Sequence, residues 1–133
     1  MGEFLEQHLV LYKKGVADFN AAKILFEQFN QGNRELDIDI ILFHLQQSAE
    51  KLIKAILSKQ KVNFPKIHDL EQLYYLLQST GIEVSVDIEL IIQLNDYAVE
   101  GRYAIIHDEV LKTEEYFKTI SILTEFTKNL FNE

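Results

Sequence analysis

Residues 38–56 read IDIILFHLQQSAEKLIKAI, and this stretch decides the fold. Its apolar side chains recur every three or four positions, which is the spacing of one face of an α-helix. They are Ile38, Ile41, Leu42, Leu45, Ala49, Leu52, Ile53 and Ile56. Ile40 and Phe43 widen this apolar face, so the stretch predicts a central helix that is buried on more than one side.

Helical spacing continues on both sides of this stretch. Before it, apolar residues from Leu5 to Phe26 predict a long first helix, and Asn and Gly at 30–33 end it. After it comes a loop at 59–66. Asp69 is then placed to cap a short third helix, which stops near Gly81.

Two more helices are predicted in the C-terminal half. Ser85 or Asp87 opens a fourth helix that runs to Ala98, and Thr113 with Tyr116 precedes the last one. No segment alternates with period two, and short loops between long helices favour antiparallel neighbours. The pattern therefore predicts an all-α fold, an up-and-down bundle of four to five helices.

The composition is that of an ordered protein. Hydrophobic residues make up 47% of the 133 positions and proline occurs once, which predicts a single folded domain over residues 1–133. The absence of cysteine excludes disulfides, thiolate metal sites and thiol nucleophiles. The charged start, MGEFLE, is unlike a signal peptide, and no apolar run reaches about 18 residues. We therefore expect a soluble, cytoplasmic protein without a membrane segment.

Charge is unevenly distributed along the chain, whose net charge is −8. Residues 1–66 hold nine Lys/Arg and eight Asp/Glu, whereas residues 67–133 hold four and thirteen. The acidic second half disfavours tight non-specific binding to nucleic acid, which relies on phosphate neutralisation. It is compatible with a protein partner that supplies positive surface, but charge alone favours the simpler interpretation, solubility.

The residues with the most chemical potential lie in GRYAIIH, residues 101–107. Arg102 is a permanent cation suited to phosphate, and His107 can take and give protons near neutral pH. On one continuous helix their five-residue offset would set them about 140° apart, so the pair needs a bend at Gly101 or a second subunit. The alternative is an Arg102 paired with a nearby carboxylate and an ordinary loop histidine.

Other side chains are weaker candidates for binding. Lys51 and Lys54 share a helical face and could form a basic strip for phosphate or nucleotide, although an ion pair between Glu50 and Lys54 is an alternative. Tyr97 and Tyr103 flank the arginine and could stack on a base, although core packing is an alternative. No His/Asp/Glu group has a convincing metal spacing, so neither a metal nor a cofactor is expected.

Several strings together resemble one known family. They are Ala17-Asp18-Phe19 with Ala22, QQSAEKLIKA at 46–55, His68-Asp69-Leu70, and Tyr97 with Arg102-Tyr103. In this order and spacing they resemble the HEPN domain family (higher eukaryotes and prokaryotes nucleotide-binding), over nearly the whole chain. The resemblance implies a bundle of four to five helices that is usually a homodimer.

The resemblance also implies a function. Many HEPN proteins are metal-independent endoribonucleases or their inactive relatives, and their site is an Arg followed after four to six residues by a His, at the end of a late helix. Arg102 and His107 match the shortest spacing. Members are often paired, as toxins, with a nucleotidyltransferase antitoxin.

One departure from the family pattern keeps a second hypothesis open. The best-matched toxins have a Tyr two residues after the His, where this chain has Glu109 preceded by Asp108. Two carboxylates beside the histidine would repel a phosphate. The alternative function is therefore a non-catalytic helical dimer that binds a nucleotide or docks onto a nucleotidyltransferase.

Overall fold

The described residues form helices joined by loops. The computed structural model describes residues 6–33, 35–64, 66–97 and 106–132, apart from the side chains of 96 and 106–111. These ranges form α1 (Gln7–Asn30), α2 (Ile38–Lys59), α3 (Leu70–Ser79), α4 (Ile88–Gln93), a 3₁₀ helix (Leu94–Tyr97) and α5 (Ile106–Phe131), with no strand among them. The predicted all-α bundle is confirmed. No helix in the described ranges combines the length and apolar character needed to cross a membrane.

Helix α2 lies at the centre of the bundle. It packs against α1, α3, α5 and the 3₁₀ helix, and Leu45, Leu52 and Ile53 on it are fully buried. The two residues predicted to widen its apolar face are only partly covered by other helices: Phe43 is half-buried and Ile40 is 46% exposed. The prediction of a central helix buried on several sides is nevertheless confirmed.

Helices α1 and α2 approach each other closely where their residues are small. Gly15 and Ala22 of α1 are buried there, as are Ser48 and Ala49 of α2. The Ser48 hydroxyl donates a 2.7 Å hydrogen bond to the Gly15 carbonyl. A Cβ atom added at Gly15 would lie 3.0 Å from Cγ of Leu52, so the contact depends on the missing side chain.

Gly15→Val is expected to destabilise the fold by about 1–3 kcal/mol, because the branched side chain must displace Leu52 from a packed interface. Urea unfolding measures the change. Ala17→Val is the matched control, since Ala17 is exposed on the same helix, and we expect it to change the unfolding free energy by under about 0.7 kcal/mol. Equal losses in the two variants would contradict close packing at Gly15.

Helices α1 and α5 run antiparallel. Near one end of the pair, the rings of His8 and Tyr12 pack edge-on against Phe131, and further along Phe26 stacks on Phe117. Burial, and secondarily the Glu125 carboxylate, raises the pKa of the Tyr12 phenol. Tyr12 therefore stays protonated at neutral pH and acts as a packing residue.

The capping residues of the short helices agree with the sequence prediction. The Asp69 carboxylate accepts hydrogen bonds from the backbone N–H groups of Glu71 and Gln72 at the start of α3. Asp87, one of the two residues predicted to open the fourth helix, accepts from the N–H of Glu89. Short polar side chains at these positions satisfy N–H groups that have no partner within the helix.

One predicted boundary is wrong, and another falls on a residue outside the described ranges. The α-helical part of the fourth helix ends at Gln93 and continues only as a 3₁₀ turn, a common way for a helix to end; Ala98 lies outside the described residues. The last helix begins at Ile106, well before the predicted start. Thr113 and Tyr116 are buried core residues of α5 rather than its boundary, because residues 106–112 contain no Gly or Pro to stop the helix.

Candidate functional site

Of the predicted catalytic pair, the structure describes only the backbone position of His107, at the start of α5. His107 is the second residue of that helix, whereas the resemblance implies a histidine at the end of a late helix. The side chain of His107 and the whole of Arg102 and Tyr103 lie outside the described residues. Asp108 and Glu109 follow in the first turn of α5, a position where acidic residue types are favoured by the positive end of the helix dipole. Their presence thus has a structural explanation independent of function.

The elements on both sides of residues 98–105 are anchored in the core. The 3₁₀ helix before this segment and α5 after it both pack on α2. The Tyr116 hydroxyl of α5 donates a 3.0 Å hydrogen bond to the Gln93 side-chain oxygen of α4. The 3₁₀ helix and α5 are therefore both held against the central helix.

A buried carboxylate on α2 gathers three polar side chains. Glu50 is 5% exposed. Its oxygens lie 3.1 Å from Lys54 Nζ, 3.1 Å from His68 Nδ1 and 3.2 Å from the Gln46 amide nitrogen. These four residues form what we call the Glu50 cluster. Its geometry joins α2 to the loop before α3.

The next residue in that loop binds the 3₁₀ helix. The Asn95 amide donates a 3.0 Å hydrogen bond to the Asp69 carboxylate, and the Asn95 side-chain oxygen accepts a 2.8 Å bond from the Leu70 N–H. His68 and Asp69 thus connect α2, the start of α3 and the 3₁₀ helix. One residue of this polar junction, Asn95, lies only a few positions before Arg102 in the sequence.

Asp69→Ala is expected to destabilise the protein by about 1–2 kcal/mol, because it removes the cap of α3 and the partner of Asn95 together. Urea unfolding tests this. Asp87→Ala removes the cap of α4, for which the structure gives a single hydrogen bond to Glu89, and should cost less. A larger loss for Asp87→Ala would contradict the role assigned to the junction.

The two lysines proposed as a basic strip are each paired with a carboxylate. Lys51 Nζ contacts the Asp18 carboxylate of α1, whose other oxygen lies 3.2 Å from His44 Nδ1. Lys54 pairs with Glu50, so the alternative of an ion pair between these two residues is confirmed. The pairing of Asp18 with His44 and Lys51 was not foreseen, because no local signal links residues this far apart in the chain.

The remaining site predictions concern aromatic residues and metal. Tyr97 is a buried member of the hydrophobic core, only 7% exposed, which favours the packing interpretation over base stacking. No group of three or more His, Asp or Glu side chains in the described ranges could hold a metal ion.

Comparison with known families identifies the domain. Residues 9–130 match the HEPN domain, which is most of the chain and includes α2, the Glu50 cluster and both members of the Arg/His pair. Comparisons with curated proteins and with solved structures gave no significant match. The helical bundle and the family match agree with each other: the chain belongs to the HEPN family.

Proposed function

We propose that this HEPN protein is a metal-independent endoribonuclease with Arg102 and His107 as its catalytic residues. The observation that carries the proposal is the family match over residues 9–130 combined with an Arg and a His at family spacing. Lys51 and Lys54, the other cations considered for phosphate binding, are engaged in ion pairs.

The proposed reaction needs one base and one cation. His107 takes the proton of a ribose 2′-OH, whose oxygen attacks the adjacent phosphorus. The O2′–P bond forms, the P–O5′ bond breaks, and the protonated imidazole returns a proton to the leaving 5′ oxygen. Arg102 donates hydrogen bonds to the phosphate oxygens as negative charge builds up on them. The products are a 2′,3′-cyclic phosphate and a 5′-hydroxyl end.

The assembly that we propose is a homodimer with the Arg102/His107 site at a cleft between the subunits, acting as a toxin restrained by a nucleotidyltransferase antitoxin. The acidic second half of the chain supports a protein partner, because it offers a surface for positively charged side chains. As a toxin, this protein should arrest growth when it is expressed alone. Co-expression with a nucleotidyltransferase encoded beside it should relieve that growth arrest. Growth arrest that persists with that partner would contradict the pairing.

Incubation of the purified protein with total RNA in the presence of EDTA tests the activity. We expect cleavage that resists the chelator and leaves ends that T4 polynucleotide kinase must dephosphorylate before ligation. Protein purified in parallel with Arg102 and His107 both replaced by Ala controls for a contaminating nuclease. Cleavage of equal strength in this control would overturn the proposal.

A non-catalytic role is the second candidate, favoured by the two carboxylates at 108 and 109. In that role the HEPN protein binds a nucleotide or docks onto a nucleotidyltransferase without cutting RNA. The same incubation separates the two functions: a folded dimer that leaves RNA intact while it binds nucleotide or nucleotidyltransferase in calorimetry supports the second.

A further inference from the structure

An aromatic groove runs along the surface between α1 and α5, away from the Glu50 cluster. Its volume is about 420 Å³. Half-buried rings form its floor: Phe117 of α5 stacks on Phe26 at a centroid distance of 5.1 Å and contacts Phe19 at 5.9 Å. Covering such a surface with another protein is favourable, because apolar area is removed from water.

The rim of the groove carries two lysines at one level and two glutamates at another. Lys23 and Glu27 are exposed on α1, and Glu114 and Lys118 are exposed on α5. Phe117 contacts both Phe19 and Phe26, which places it level with the residues midway between them, near position 22 or 23 of α1. Because the helices are antiparallel, a step from 23 to 27 on α1 matches a step from 118 to 114 on α5. Lys23 therefore lies beside Lys118, and Glu27 beside Glu114, about 6 Å further along the groove.

None of these four charges forms a salt bridge with another residue of the described ranges. Like charges placed side by side repel each other. Within the subunit, Lys23 Nζ lies 5.6 Å from the Phe19 ring centroid, and Glu27 and Glu114 each stand four residues from a lysine on the same helix. Opposite charges that approach from outside add to these contacts and offset the repulsion between the like charges.

We propose that this groove is an interface between two copies of the chain, related by a two-fold axis that crosses it between the lysine and glutamate levels. In a two-fold interface the same patch meets itself in reverse. The lysine pair of each subunit then faces the glutamate pair of the other, and the aromatic floors cover each other. The pattern is self-complementary, which identifies a second copy as the occupant.

Two exposed isoleucines extend the apolar surface of this face. Ile24 is 62% exposed and Ile122 is 42% exposed. By helical rotation Ile24 lies about 60° beyond Glu27, and Ile122 about 40° beyond Lys118. Both therefore flank the groove, one on each helix, and the interface buries them along with the rings.

The inference goes beyond the proposed function and does not rest on it. The groove contains neither Arg102 nor His107, and an interface here is separate from a cleft formed around that pair. Disrupting this interface should remove one association step, which halves the mass measured in solution. The halving is expected whether the wild-type protein is a dimer or a larger assembly.

Charge reversal in the full-length protein tests the interface. Lys23→Glu with Lys118→Glu makes all four rim charges negative, and Glu27→Lys with Glu114→Lys makes them positive. Sedimentation or light scattering across micromolar concentrations should show half the wild-type mass for each variant alone, with the dissociation constant raised at least about tenfold. An equimolar mixture of the two variants should recover the wild-type mass.

The quadruple variant, which exchanges both charge pairs, keeps the net charge and should also recover the wild-type mass. Circular dichroism checks that every variant stays folded, as expected for exposed positions. A wild-type monomer, or folded variants with unchanged mass, would overturn the inference, as would a mixture that stays at half mass. RNA cleavage assayed on the same samples reports on the proposed function separately.

Discussion

His107→Ala is expected to lower the rate of RNA cleavage by about 10²–10⁴-fold, because it removes the group that exchanges protons with the attacking and leaving oxygens. Arg102→Ala is expected to cost about 10²–10³-fold, since the phosphate then loses its charged hydrogen-bond donors. Initial rates on a defined RNA oligonucleotide, with EDTA present, measure both effects.

Three further variants distinguish catalysis from folding. Arg102→Lys keeps the charge but loses the forked geometry, so its rate should lie between those of wild type and Arg102→Ala. His8→Ala removes a histidine that packs on Phe131 far along α5 and should cleave RNA at the wild-type rate. His68→Ala removes a member of the Glu50 cluster that does not touch RNA in the proposed reaction, so it should also cleave RNA at the wild-type rate. If either control matched His107→Ala, the assigned roles would be wrong.

Glu50→Ala is expected to lower the free energy of unfolding by about 3–5 kcal/mol, because it leaves the Lys54 ammonium without its carboxylate in a largely buried position. The Glu50 and Lys54 side chains are 7% and 11% exposed. Loss of the carboxylate also removes the acceptor of Gln46, which is fully buried. His68 adds little to the expected loss, because its side chain is 71% exposed and water can replace Glu50 as its partner.

The double variant Glu50→Leu with Lys54→Met should recover most of this loss, since well-packed apolar side chains can replace a buried ion pair at little cost. Urea unfolding of the single and double variants measures the coupling between the two positions. Glu27→Ala is the control, an exposed carboxylate expected to change stability by at most about 0.5 kcal/mol in the dissociated protein. A loss below 1 kcal/mol for Glu50→Ala would contradict the desolvated pair.

Local signals in the sequence were sufficient for most of the secondary structure. The apolar spacing of residues 38–56 correctly predicted a central helix, and Asp69 correctly predicted the start of α3. The start of α5 was missed because Thr113 resembles a helix-start residue in the sequence, whereas in the fold it is fully buried within the helix. Helix periodicity is a local property, but the end of a helix also depends on what its last turns pack against.

The sequence by itself determined the family, because the HEPN strings are short, local and ordered; the Arg102/His107 pair stays a prediction from the same sequence. The four-residue spacing of Glu50 and Lys54 already allowed their ion pair, whereas only the tertiary structure decided the carboxylate that Lys51 contacts. Asp18 meets Lys51, and Glu50 meets His68, across separations that no spacing rule covers. The groove between α1 and α5 likewise exists only once the first and last helices are adjacent. Contacts between distant segments depend on how helices pack, and packing is a property of the whole bundle rather than of any one stretch.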